Sequence, residues 1–136
     1  MIYKLTHPER AGALFAQAQD TMILSCLQNV MGEIYADDPE NPKSAMAVLG
    51  VFCFFAGEVN AELIAYKPDT YTIPFILMSA DTSSLRAAIQ AQYGERAKKV
   101  TRYAIKKEAG IFSEQRLQQI VDTLGAEYEL NLIDEA

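Results

Sequence analysis

The spacing of apolar residues along the chain predicts about four helices. They lie around residues 6–18, 58–66, 82–94 and 113–125. Thr6, with Glu9 three residues later, and Ser113 are typical of helix starts, and a Thr-Ser-Ser cluster precedes the third helix. The stretch 20–31 is left open between a helix and a buried strand, because it is apolar on nearly every side.

Strand-like patterns fall between these helices. Five stretches alternate or are apolar throughout, at residues 32–36, 45–56, 72–79, 98–107 and 128–132. The stretch 45–56 is apolar on both faces and predicts one central strand, with a bulge or a close backbone approach at Gly50. A turn rich in Asp, Pro and Asn separates it from 32–36. Pro74 favours an edge position or a bulge for 72–79.

Helices and strands alternate from residue 58 onward, and this order predicts an α/β fold, with α+β left open. We expect a mixed sheet of about five to six strands, antiparallel at its start, with about four helices. The 136 residues, half of them hydrophobic, suit one domain covering 1–136.

The sequence shows no segment that is typical of secretion or of membrane insertion. The N-terminus lacks the pattern of a signal peptide, and the longest uncharged apolar run, 45–56, is too short to span a bilayer. Cys26 and Cys53 are not in CxxC spacing, and we predict both to be buried thiols. We therefore expect a cytoplasmic protein that does not contact membranes.

Charge is unevenly distributed. The net charge of −6 argues against a nucleic-acid partner, yet residues 96–107 hold six of the twelve basic residues and no acidic one. In a strand, Lys98, Arg102 and Lys106 would project from one face, with Tyr103 on the core side. Three aligned cations require a negative group nearby. It is either acidic side chains of a neighbouring strand, a phosphate-bearing ligand or an acidic partner domain, and the first is favoured.

Several catalytic chemistries are disfavoured. The seven glycines never form GxG, so no dinucleotide or P-loop fingerprint is present. His7 is the only histidine, which argues against a catalytic triad or a histidine metal site within this chain. Asp37, Asp38 and Glu40 offer oxygen ligands for a cation, but their spacing is not that of an EF-hand, and a solvated turn is favoured. No metal is expected.

Glu33 and Tyr35 form the other candidate pair. Two residues apart in a predicted strand, they share one face, where a carboxylate and a phenol would suit a base and an acid. The plainer interpretation is an ordinary strand with one polar and one amphipathic residue. We treat both as candidate ligand- or partner-binding residues.

Three segments together resemble a known family. They are GEIYADDPENPKSA at 32–45, FCFFAG at 52–57 and VTRYAIKK at 100–107. In order and spacing they resemble the N-terminal region of a bacterial family of GNAT-type, acetyl-CoA-dependent N-acetyltransferases. The resemblance covers essentially the whole chain and implies a GNAT-like N-terminal domain. It also implies that the chain carries the acceptor side or a scaffold for an enzyme that acetylates an amine.

The cofactor half of that family is not recognisable here. GNAT proteins hold the pyrophosphate of acetyl-CoA on a loop of the type Q/R-x-x-G-x-G/A, in a C-terminal domain, and this sequence has no such loop. The resemblance therefore implies acetyl-CoA for the full-length family but assigns no catalytic or cofactor-binding residue to this chain. We expect the isolated chain to be inactive, with a C-terminal GNAT domain and a small-molecule amine as partners. The alternative is a freestanding, non-catalytic binding or dimerisation module, such as a homodimer.

Overall fold

The structure, a computed structural model, describes residues 1–69, 71–103, 108–129 and 131. The chain divides into two compact units, Met1–Lys99 and Val100–Ala136. The expectation that 1–136 forms a single domain stays a prediction.

The first unit is built on a five-stranded sheet, in the order β1-β2-β3-β4-β5. These strands are β1 (Tyr3–Lys4), β2 (Glu33–Ala36), β3 (Ser44–Leu49), β4 (Phe52–Gly57) and β5 (Leu77–Ala80). The first four pair antiparallel, and β5 joins β4 in parallel. The predicted mixed sheet with an antiparallel start is confirmed for the described residues. Within them β5 is the last strand in the order, which is the predicted edge position, although Pro74 lies before the strand and outside its ladder.

Four α-helices accompany the sheet in the described ranges. The first unit holds α1 (Thr21–Leu27), α2 (Ala61–Ala65) and α3 (Ser83–Tyr93), and the second unit holds α4 (Glu114–Val121). Helix α1 settles the open stretch 20–31, because Asp20 accepts the Met22 N–H at 3.0 Å and so starts a helix. The predicted helix at 6–18 is a 3-10 turn, Pro8–Ala11, followed by further turns.

The prediction of one central strand over 45–56 is wrong. This stretch is a hairpin in which β3 and β4 pair from Ser44 opposite Gly57 to Leu49 opposite Phe52. Gly50 has a φ of +56° at the first position of the two-residue turn, where such hairpins favour glycine. Both halves are apolar on both faces, so the hydrophobic pattern does not show where the chain reverses.

The core consists of two layers, one on each face of the sheet. On one face α1 and the 3-10 turn cover alternate residues such as Ile34, Ala47 and Phe54. On the other face, Leu63 of α2 and Leu85 of α3 join a second set of strand residues. The two thiols are buried and unpaired, as predicted, one in each layer. The period of two along β2, β3 and β4 therefore assigns each side chain to its layer.

Three other predicted strands differ from the structure. The stretch 72–79 narrows to β5, while residues 98–103, 127–129 and 131 lie in no strand. Tyr103, expected on the core side, is 92% exposed. A strand forms only where a neighbour supplies a hydrogen-bonding ladder, and no described strand pairs with these residues. The rest of both predictions, at 104–107, 130 and 132, lies outside the described residues.

Candidate functional site

The Glu33 carboxylate, at the start of β2, accepts hydrogen bonds from two neighbours. The Tyr35 hydroxyl donates to Oε2, so the predicted Glu33–Tyr35 pair is in contact. The Lys4 ammonium donates to Oε1 from β1, where Lys4 lies opposite Tyr35 in the register. Lys4 was missed from the sequence, because a two-residue strand has no periodicity to reveal its partner.

These contacts favour the ionised form of the Glu33 carboxyl. The hydrogen bond from Lys4, and then that from Tyr35, holds the pKa of the Glu33 carboxyl below its ordinary value. A general base for neutral pH has a raised pKa, so this environment suits a permanent anion better than a proton acceptor. Tyr35 is only 4% exposed and also packs its ring 5.3 Å from that of Tyr66. The geometry therefore favours charge recognition by Glu33, with Tyr35 holding the carboxylate in place.

The Glu33 cleft is an open cavity of about 370 Å³ in the first unit. Its walls come from the start of β2, the end of β3 with its turn, and the segment before β5. The lining residues are Gly32, Glu33, Val48, Gly50, Pro68, Tyr71, Thr72 and Ile73. The cleft therefore combines one carboxylate with hydroxyl, aromatic and aliphatic groups.

Tyr71 is held in place at the mouth of this cleft. Its hydroxyl donates to the backbone carbonyl of Phe75 at 2.8 Å. The Lys67 ammonium lies 5.8 Å from the centre of its ring, within the range of a cation–π contact. The predicted strand 72–79 does not begin until Leu77, which leaves residues 71–73 free of the sheet to line the cleft.

Gly32, which lines the cleft, lies so close to its neighbours that a side chain would not fit there. Its φ is +83°, and a Cβ there would lie 2.5 Å from Cys26 Sγ and 2.7 Å from the Val48 carbonyl oxygen. The chain leaving α1 therefore packs directly onto β3, and only glycine fits both the conformation and the space.

The three cations of the predicted basic face do not fall in one described element. Lys98 and Arg102 are both exposed and lie in no strand, and they belong to different units. Lys106 lies outside the described residues. The prediction that these cations bind a ligand or a partner stays a prediction, as does the favoured pairing with acidic side chains.

In the acidic turn at 37–44, the carboxylates of Asp37 and Asp38 accept hydrogen bonds from the backbone of the turn itself. Asp37 accepts the backbone N–H groups of Lys43 and Ser44, each at 3.0 Å. Asp38 accepts those of Glu40 and Asn41 at 2.8 Å, and these bonds lower the pKa of Asp38. Over the described ranges no group of three His, Cys, Asp or Glu side chains is placed to hold a metal ion.

Every α-helix in the described residues begins at a side-chain cap. In the described residues, a side chain accepts a first-turn N–H of each α-helix. The four capping residues are Asp20, Asn60, Thr82 and Ser113. A phosphate site of the GNAT type needs exposed N–H groups behind a glycine-rich loop. Each cap accepts one N–H of its helix, and no glycine-rich loop precedes any of the four helices, so we assign no cofactor contact to these residues.

The fold and the motifs agree with a family of acyltransferases. The family model described as GNAT acetyltransferase matches residues 12–136, and the chain belongs to this family. Among solved structures, it is similar to the crystal structure of a GCN5-related N-acetyltransferase-like protein from Streptococcus suis 89/1591. The TM-score is 0.71 and the sequence identity 32%, which confirms the predicted GNAT-like fold.

Coverage of that relative is partial. The match includes 88% of this chain but 47% of the Streptococcus suis chain, so this chain spans about half the length of its relative. No match was found among curated proteins. In the described part of the chain, no helix is long and apolar enough to cross a membrane.

Proposed function

We propose that this chain is the N-terminal, acceptor-side half of a GNAT N-acetyltransferase and that it is inactive alone. The observation that carries the proposal is the mismatch between family and site. The chain belongs to an acetyltransferase family, yet its sequence lacks the glycine loop that would hold the pyrophosphate. The partial coverage of the Streptococcus suis relative supports the same division.

In the full-length enzyme, the C-terminal half would hold acetyl-CoA and this N-terminal half would bind the amine. Acetyl-CoA bound to the second half would supply the acetyl group that the amine receives. What this chain contributes is binding and orientation of the acceptor. The Glu33 cleft supports that role, because it pairs an ionised carboxylate with an apolar wall.

Calorimetry with acetyl-CoA tests the proposal. Titrated into the 136-residue chain, acetyl-CoA should give no heat of binding in the micromolar range. Micromolar binding with one site per chain would overturn the claim that the cofactor is held elsewhere. Release of free coenzyme A above the protein-free rate, with a simple amine present, would overturn the claim of inactivity.

The alternative is a freestanding binding or dimerisation module, favoured by one feature of the second unit. Helix α4 exposes apolar side chains, with Leu117, Ile120 and Val121 between 37% and 65% accessible. Such a face is typical of a surface that another chain covers. Sedimentation distinguishes the two: a concentration-dependent dimer that Ile120→Glu abolishes would favour the module. A monomer at every concentration would favour the acceptor-side half.

We further propose a cytoplasmic location. Acetyl-CoA is an intracellular metabolite, and the two thiols stay unpaired although a chain from an oxidising compartment typically carries disulfides. A fluorescent fusion found in the soluble cell fraction would support the location, and recovery from the medium or from membranes would contradict it.

A further inference from the structure

We infer that strand β5 pairs with the same strand of a second copy of this chain, so that two five-stranded sheets join edge to edge. The pairing is antiparallel and two-fold symmetric about Met78. The inference goes beyond the proposed function, because it concerns neither acetyl-CoA nor the acceptor, and it rests on residues of the first unit alone.

The first observation is the open backbone edge of β5. This strand is the last in the sheet order and pairs with β4 in parallel. The Leu77 N–H donates to the Val51 carbonyl at 2.7 Å, on the β4 side. Backbone groups alternate in direction along a strand, so the N–H and C=O of Met78 point away from β4. Among the described residues neither group has a hydrogen-bond partner, so both are available to another strand.

The second observation is that this edge lacks the usual protection of an edge strand. Natural edges carry charged side chains, prolines or bulges that prevent pairing with another chain. Residues 71–80 include no charged residue, and Pro74 lies before the strand rather than in it. Leu77 is 38% exposed, and Ser79, on the same face, is also exposed. A second uncharged strand therefore meets no charge along this edge.

The third observation identifies the occupant, because the two ends of the edge are complementary. At the C-terminal end, Arg86 Nη1 donates to the carbonyls of Ala80 and Asp81 at 2.9 and 3.1 Å. At the other end, the Phe75 side chain is 58% exposed. An antiparallel pair centred on Met78 sets residue 81 of one copy opposite residue 75 of the other. Each Arg86 guanidinium then lies beside a Phe75 ring, and this favourable cation–π contact occurs twice.

The same symmetry defines the register. Met78 of one copy faces Met78 of the other and exchanges two N–H···O=C bonds with it, while Leu77 lies opposite Ser79. The open edge is short, because Arg86 already donates to the carbonyls at its end. We therefore expect a weak dimer, with a dissociation constant in the micromolar to millimolar range.

Sedimentation and hydrogen exchange of the natural chain test the pairing. The sedimenting mass should rise toward that of two chains as the concentration increases. The Met78 amide should lose its protection from exchange about tenfold or more on dilution, because only the second copy covers it. The Leu77 amide, bonded to Val51 within each copy, should stay protected at both concentrations. A monomer at millimolar concentration, or Met78 protection that does not change on dilution, would overturn the inference.

Two edge variants test the register. Leu77→Lys and Ser79→Glu each place a charge on the edge, and each alone should raise the dissociation constant about tenfold or more. Mixed in equal amounts, the two variants should associate more tightly than either alone, because the introduced opposite charges then face each other across the two strands. Leu24→Lys, at an exposed apolar position on α1, is the matched control and should leave the dimer unchanged. An unchanged dimer in both edge variants, or no gain on mixing, would contradict the inference.

This dimer differs from one formed through α4, and its failure differs from failure of the proposed function. Ile120→Glu, on α4, should leave the β5 dimer intact. A dimer that Ile120→Glu abolishes and Leu77→Lys preserves would overturn the inference. A monomeric chain would remove the β5 pairing but leave the acetyl-CoA calorimetry as it stands. Micromolar acetyl-CoA binding would instead overturn the division into halves without affecting the β5 pairing.

Discussion

At the scale of single residues, Glu33 links the candidate site to the pH dependence of stability. Its pKa is held below the ordinary value in the folded chain, chiefly by Lys4. A group with a lowered folded pKa stabilises the fold above its unfolded pKa, about 4.3 for Glu, and that contribution is lost as the pH falls through the folded pKa.

This sign gives a prediction for Glu33→Gln. The variant should be less stable than the natural chain at about pH 6, and the difference should shrink as the pH falls through the lowered pKa of the folded Glu33 carboxyl. Urea unfolding over this pH range measures it, with Glu58→Gln as the control expected to show a smaller change. A difference that grows on acidification would show that Glu33 is not stabilised as an anion.

Gly32 gives a second prediction at this scale. Gly32→Ala should lower the free energy of unfolding by about 2–4 kcal/mol, because it adds left-handed strain to a collision with Cys26 and the Val48 carbonyl. Gly50→Ala is the matched control: its φ is also positive, but nothing lies within 4 Å of the added Cβ. It should cost only about 1–2 kcal/mol. Equal losses in both variants would show that the Gly32 packing contributes nothing.

At the scale of elements, prediction succeeded where the signal was local. The Ser and Thr caps of α3 and α4 and the turn at 37–44 were readable because each is made by neighbouring residues. The β3–β4 reversal was not, since both strands are apolar throughout and Gly50 suits a bulge as well as a turn.

Only part of the candidate site could be predicted from the sequence, again because only that part has a local signal. Glu33 and Tyr35 are two residues apart on one strand, so their contact follows from the period of two. Lys4 reaches Glu33 only through the register of β1 with β2, and Tyr71 reaches the cleft only because β5 begins at Leu77. Such long-range placement leaves no periodic trace in the sequence.

The segment that contains Arg102 gives a prediction about stability and binding. Arg102 is exposed, and we expect Arg102→Ala to lower the free energy of unfolding by no more than about 1 kcal/mol, the usual limit for an exposed charged side chain. If the predicted ligand or partner role is right, the same change weakens that binding. Thermal and urea unfolding measure the stability effect, with Arg116→Ala on α4 as the control. A loss above about 2 kcal/mol is the size expected of a buried ion pair and would contradict the exposed placement of Arg102.

For the whole molecule, we propose one task, which is binding of the amine acceptor. The family membership covers residues 12–136, while the match to the Streptococcus suis protein extends over 47% of that chain. The described residues form a cleft lined by the Glu33 carboxylate, and the sequence carries no glycine loop of the GNAT type. The central claim is that acceptor binding resides in this chain and cofactor binding does not.

One NMR sample given two ligands tests that claim most directly. Acetyl-CoA is added first to the ¹⁵N-labelled chain, and butylamine is added afterwards to the same sample. The account predicts an unchanged spectrum after acetyl-CoA, followed by saturable shifts around Glu33 after butylamine. Saturation by micromolar acetyl-CoA, with no later response of the cleft to the amine, would contradict it.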